Sequence, residues 1–248
     1  MDPRFGTIEA GGHLSPDAAA AALADAGFAV IPGPVPPDAL PGLVTAYDAV
    51  MAAAAGTPDH RVGSTTTRLL DLVNRGAAFD PIYVHPPLLE AAARVIGGPF
   101  RLSSMLGRTL RPGTPAQELH ADLPRDDPAR PMLGFILTLD PFRPDNGATR
   151  IVPGSHRWPE VPEDVMSDRC APWAGEVLAC GPAGALLVFD ASVWHGHAAN
   201  TSGAPRRSIQ GYFVPRGTPL GLDDPSRIRP ETLARIGPLA EYVLAVGR

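Results

Sequence analysis

Thirty prolines spread through 248 residues leave this chain few places for a long helix. Each proline lacks a backbone N–H and, inside a helix, clashes with the preceding turn, so short elements separated by fixed turns are predicted. Ser15-Pro16-Asp17 opens the first of them, a helix in which serine caps free N–H groups and proline fits the first position. It is predicted to run to about Asp25 and end at Gly27. Phe28 to Ile31 reads as a short strand, and a second helix after Pro37 buries Leu40, Leu43, Val44 and Tyr47. From 56 to 78 periodicity fades, and Arg61, Thr65, Thr66, Thr67, Arg68 and Asn74 read as a solvated loop or, alternatively, a lid over a pocket. Pro87 to Ile96 is a third helix, stopped by Gly97-Gly98. Strands are then predicted at Phe100 to Leu110, Met132 to Leu139, Ala185 to Phe189 and Ile209 to Val214, before a closing helix from Leu233 to Val246. Helices followed by short strands imply an α+β, mainly β chain whose second part is a sandwich or barrel. With no repeat and no linker, residues 1–248 are expected to form a single domain in which the N-terminal helices buttress the sheet.

Several chemistries are excluded by residue type. The sequence contains no lysine, which removes the Schiff-base amine of pyridoxal enzymes and the lysine of phosphate-binding loops. A formal charge of −5 with scattered arginines provides no basic stripe for nucleic acid, although a local arginine pocket can still attract a small anion. Cys170 and Cys180 are too far apart for a CxxC site and are expected to be free thiols. Without a signal pattern or an 18-residue apolar run, the expectation is a soluble cytoplasmic protein acting on a small molecule. The sequence carries no indication of oligomeric state.

His120-Ala121-Asp122 is the first strong site motif. In an extended segment residues i and i+2 point the same way, roughly 6.5 Å apart at Cα, so an imidazole and a carboxylate can converge on one ion. A second histidine would complete the two-histidine, one-carboxylate set that leaves neighbouring coordination positions open in non-haem iron oxygenases. That histidine can come from Trp194-His195-Gly196-His197, and spacing alone leaves His195 and His197 as alternatives. Arg206 and Ser208 are again two apart, at the start of an apolar strand. An arginine turned inward needs an anion, and its planar fork suits a carboxylate; the alternative is an internal pair with Asp190.

Taken in order, Gly27-Phe28-Ala29-Val30, the His120/Asp122 pair, Asn146-Gly147, Val152-Pro153-Gly154-Ser155-His156-Arg157, and the run from His195 through Asn200 and Ser202 to Arg206 closely resemble the phytanoyl-CoA dioxygenase family of Fe(II)/2-oxoglutarate oxygenases. The resemblance implies a double-stranded β-helix (jelly roll, cupin-like) over about 100–216, supported by helices over about 15–98. It implies Fe(II) held by His120, Asp122 and His195, with 2-oxoglutarate and O2 as co-substrates. It also selects His195 over His197 as the ligand, because Asn200 and Arg206 follow at the family's spacing.

On the same grounds Arg206 would bind the far carboxylate of 2-oxoglutarate, with Ser208 beside it and His197 near it. Gln117 and Arg108 are further candidates to contact the co-substrate, and Arg108 could instead meet the substrate. His156 and Asn146-Gly147 are expected to be framework, and Trp194 to pack beside the metal ligand. Halogenating relatives replace the carboxylate by a small residue, so Asp122 favours hydroxylation of a small metabolite, with cyclisation, epimerisation or desaturation as alternative outcomes. A non-catalytic jelly-roll binding protein would need its pocket polar groups only for stability, and an isomerase or hydrolase using the same metal ligands would give Arg206 no clear task. Segments 57–80, 111–131 and 158–180 are expected to surround the mouth.

Overall fold

The computed structural model describes residues 16–123, 127, 131–218 and 227–246. The Ser15 cap and part of the 111–131 segment expected at the mouth lie outside them.

Helix α1 (Pro16–Ala26) leads into strand β1 (Phe28–Pro32), and α2 (Leu40–Ala53) follows. Next come β2 (His60–Val62), β3 (Thr66–Leu69), α3 (Asp80–Tyr83), α4 (Pro86–Ile96) and β4 (Phe100–Leu110). The second half contains β5 (Leu133–Thr138), β6 (Thr149–Ile151), α5 (Pro162–Val165), β7 (Val177–Ala179), β8 (Ala185–Asp190), β9 (His195–His197) and β10 (Arg206–Pro215). Two short helices, α6 (Pro230–Leu233) and α7 (Pro238–Val243), come last.

The strands form two antiparallel sheets, a seven-stranded one ordered β1-β8-β5-β10-β4-β3-β2 and a three-stranded one ordered β7-β6-β9. This is the jelly-roll arrangement, left open rather than closed into a barrel. Every residue of β5 and β8 is buried because both faces of the large sheet are covered. On one face Leu69, Met105, Leu133, Ile209 and Phe213 pack with helical residues such as Leu43, Tyr47 and Leu88. On the other, Ile136, Leu187 and Phe189 meet Ile151 and Ala179 of the small sheet. At Gly211 of β10 a Cβ would lie 2.4 Å from the Ser104 carbonyl oxygen and 2.5 Å from the Phe135 ring, so glycine is what lets β10 sit between its neighbours.

Two expectations are corrected. Segment 56–78 is not an irregular loop: β2 and β3 form a hairpin, Gly63 N–H donating to the Thr66 carbonyl at 2.8 Å, and β3 pairs with β4 to extend the large sheet. The closing helix is broken in two at Gly237-Pro238, since proline ends one helix and starts the next. Among the described residues no helix is long and apolar enough to cross a membrane.

Candidate metal centre

His120 and Asp122 lie on the segment that runs along the edge of β9, not in a named strand. The backbone is extended there only through a single bridge: His120 N–H donates to His195 O at 3.0 Å and His195 N–H returns to His120 O at 2.9 Å. Asp122 N–H donates to Ala191 O at 2.9 Å and Gln117 N–H to His197 O at 2.9 Å. Gly196 permits this close passage, because a Cβ there would meet the Gln117 and Glu118 carbonyl oxygens at 3.1 Å.

These bonds bring one ligand atom each from His120, Asp122 and His195 within 4.8 Å of one another. Nε2 of His120 is 3.7 Å from Asp122 Oδ1, and Nε2 of His195 is 3.5 Å from Asp122 Oδ2. Each ring is oriented from behind: His120 Nδ1 donates to Glu118 O at 2.9 Å and His195 Nδ1 to Val193 O at 3.0 Å. A carbonyl can only accept, so each Nδ1 carries a proton and each Nε2 is turned toward Asp122, where a metal ion would take its lone pair. Metal-binding histidines are typically held in this way. Two imidazoles and one carboxylate fit a divalent iron with open positions. Burial and the neighbouring His195 ring hold His120 below the usual histidine range, which keeps its lone pair free.

One contact was not anticipated. Tyr212 Oη donates to Asp122 Oδ2 at 2.8 Å and is pushed well above the usual phenol range by burial and by Asp122, so it stays a donor. The period-two face that begins at Arg206 and Ser208 continues through Gln210 to Tyr212, and following it two steps further along the sequence would have found this residue. Tyr212→Phe is expected to keep the fold and weaken metal affinity about ten-fold or more, measured by metal titration; an unchanged affinity would remove Tyr212 from the site.

The centre opens into a cavity of about 220 Å³ whose lining includes Arg68, Arg108, Gln117, His197, Arg206, Gln210 and Tyr212. Arg206 is 2% exposed, and its Nε and Nη1 have no hydrogen-bond partner among the described residues. Its guanidinium lies 4.0 Å from the centroid of Phe142. Burial, then Arg108, lowers its pKa to about 9. No pair with Asp190 forms; Asp190 Oδ1 instead accepts the Ser192 N–H at 2.8 Å. Ser208 is fully buried beside it, its hydroxyl donating to Arg108 O at 3.4 Å. His197 is turned into the cavity but stands outside the metal-binding cluster, and burial lowers it to about 4, so it is neutral at physiological pH. Gln117 accepts from Arg108 Nη2 at 3.4 Å.

The remaining motif residues shape the backbone. Asn200 Nδ2 donates to Arg111 O and Ala204 O, and its Oδ1 accepts from Ser202, which sets the turn that launches β10 at Arg206. Ser155 accepts the Trp194 N–H at 2.8 Å while His156 reaches Ala24 O at 3.3 Å. Trp194 packs 5.0 and 5.3 Å from Trp158 and Trp173, as a framework residue should. Segment 158–180 contributes nothing to the cavity lining, contrary to expectation. Arg169 is instead tied to Glu118 and Glu163, and Trp173 is taken up by the tryptophan cluster.

The phytanoyl-CoA dioxygenase family model matches residues 23–208. The chain is 30% identical over 166 residues to dioxygenase trt7 of Aspergillus terreus, covering 62% of this chain and 56% of that protein; it thus spans little more than half of that relative. Its fold is shared with HygX from Streptomyces hygroscopicus, solved with nickel and 2-oxoglutarate bound (TM-score 0.68, 17% identity, 83% of this chain and 89% of that one). It is shared equally with SnoK, a non-haem α-ketoglutarate-dependent carbocyclase from nogalamycin biosynthesis (TM-score 0.68, 20% identity, 92% and 95%). The motifs, the metal-binding triad and the extent of the family match agree, and the chain belongs to the phytanoyl-CoA dioxygenase family.

Proposed function

We propose that this chain is an Fe(II)- and 2-oxoglutarate-dependent oxygenase that hydroxylates an unactivated carbon of a small metabolite, in a biosynthetic setting. The observation that carries the co-substrate reading is Arg206, a buried cation with two unpartnered nitrogens in the same cavity as the triad. A buried guanidinium without a counter-ion is costly, and a carboxylate delivered by a ligand would complete it. HygX, of the same fold, has nickel and 2-oxoglutarate bound, which supports that assignment.

His120, Asp122 and His195 would hold the iron, Tyr212 fixing the carboxylate and the two backbone carbonyls fixing the rings. Arg206 would grip the far carboxylate of 2-oxoglutarate, and Ser208 and neutral His197 would border it. When bound, Fe(II) with 2-oxoglutarate and O2 supplies an oxidant strong enough to take hydrogen from an unactivated carbon, yielding succinate, CO2 and oxidised product. The protein's part is to orient the substrate and to control access to the metal. Apolar Leu106, Ile136 and Phe189 line the cavity among the polar groups, so part of its wall would receive the hydrocarbon portion of a substrate. Asp122 occupies the place a halide would need, which supports oxygen insertion over halogenation.

Cyclisation or epimerisation is the second reading, because SnoK and the epimerase SnoN share the fold. Incubating a metabolite library with protein, Fe(II) and 2-oxoglutarate, and following products by mass, separates the outcomes. Hydroxylation adds one oxygen atom, desaturation or ring closure removes two hydrogens, and epimerisation leaves the mass unchanged. A product of unchanged or lowered mass with succinate release would replace hydroxylation as the assigned reaction.

A further inference from the structure

We propose that Arg150 is a positioning residue for the metal centre: from outside the cavity it fastens the segment carrying His120 and Asp122 to residues 170–176, which brace it. This role rests on His120, Asp122 and His195 being the metal ligands, and it concerns what holds them in place.

Arg150 lies on β6, directly opposite Gly196 of β9, while its neighbours Thr149 and Ile151 are opposite His197 and His195. Strand partners share a face and successive side chains alternate between faces. Arg150 therefore points away from the two histidines, and it is absent from the cavity lining. On its own face Gly196 offers no side chain, and the Gln117 and Glu118 carbonyl oxygens lie 3.1 Å from where a Cβ would be. The guanidinium reaches Gln117 across that gap. Arg150 is 3% exposed and makes five hydrogen bonds, one for each of its N–H donors. Nη1 donates to Gln117 O at 3.3 Å and Cys170 O at 3.0 Å. Nη2 donates to Ala171 O at 2.7 Å and Glu176 Oε2 at 2.8 Å, and Nε to Glu176 Oε1 at 3.1 Å.

The ligand segment needs such support, because residues 117–122 form no named strand. One side is held by the bonds to β9 and Ala191 described above. The other side is held by the brace. Leu119 N–H donates to Arg169 O at 3.0 Å, and the Arg169 side chain pairs with Glu118, whose carbonyl orients the His120 ring. Arg150 closes the arrangement by tying Gln117 to Cys170, Ala171 and Glu176 at once. Glu176 also accepts the Trp173 N–H at 3.0 Å, and the Trp173 ring packs against Trp194, the residue before His195. Both ligand histidines thus lean on one body, and segment 158–180, which lines no part of the cavity, gains a task. A lysine could not replace the arginine, since three donors on one nitrogen cannot meet acceptors spread over four residues.

The test is titration of the whole protein with Co(II), whose visible absorption reports both uptake and ligand geometry. Arg150→Met should weaken Co(II) binding about ten-fold, the lower end of what losing a partner that orients a metal ligand costs, and should alter the visible band. Arg150→Lys keeps a charge beside Glu176, which protects the fold, and should show a smaller loss of the same sign. Leu88→Ala opens the core on the far side of the large sheet; it should lower the unfolding temperature and leave Co(II) affinity and spectrum at wild-type values. Wild-type affinity and spectrum in every Arg150 variant that folds overturns the positioning role. So does an equal loss in Leu88→Ala, which would mean that affinity only follows stability. If the wild-type protein takes up no Co(II), the metal site itself fails, and the role of Arg150 with it.

Discussion

An Asp122→Ala protein is expected to lose iron binding and all coupled turnover while remaining folded. The substitution removes the anionic ligand from a set of three whose ligand atoms lie within 4.8 Å of one another, leaving two neutral imidazoles. The loss of metal affinity should exceed the roughly 10–100-fold that removing an outer-shell partner costs, because here a ligand itself is gone. Asp122 sits on the segment beside β9 and outside the apolar clusters, so the core is not opened. Metal content after gel filtration, read beside the thermal unfolding curve, checks both halves. Full iron occupancy in a folded Asp122→Ala protein would refute the assigned triad.

Arg206→Met should abolish the gain in stability that 2-oxoglutarate gives the wild-type protein and should not destabilise the ligand-free fold. The physical reason is the buried guanidinium with Nε and Nη1 unpartnered: without a ligand it is a desolvated charge, and a methionine of similar length fills the space above Phe142 with no such penalty. With the ligand it would become half of a buried, hydrogen-bonded charge pair, whose truncation costs about 2–5 kcal/mol, on the order of 30- to several-thousand-fold in affinity. Calorimetric titration of 2-oxoglutarate, with unfolding measured in its presence and absence, reads both effects. Unchanged affinity would mean that the co-substrate carboxylate binds elsewhere.

The parts of this protein that were legible in its sequence are those where packing imposes an apolar pattern. β5 and β8 are buried on both faces and read as apolar runs, and α2 and α4 carry the stripes that cover the large sheet. The hairpin of β2 and β3 was missed because the inner face of β3 looks into a polar cavity. Thr66, Thr67 and Arg68 therefore show none of the apolar alternation on which a strand is recognised. The same polarity hid Gln210 and Tyr212 at the site. β6, β7 and β9 have three residues each, too few for any period to show. Within the site, His120 and Asp122 were legible as a pair, whereas the choice of His195 over His197 needed the family spacing. Both rings enter the cavity, and only the first belongs to the metal-binding cluster.

In the proposed reaction His120, Asp122 and His195 hold an iron that consumes 2-oxoglutarate and O2. Succinate formed from 2-oxoglutarate is the most direct measurement, made with Fe(II) under air, under argon, and with Fe(II) replaced by Ni(II). Succinate is expected under air with iron alone, with one CO2 for each succinate, and none from Asp122→Ala. Succinate formation that persists under argon or in Asp122→Ala, or its absence from iron-loaded wild-type protein that binds 2-oxoglutarate and a substrate, would contradict it.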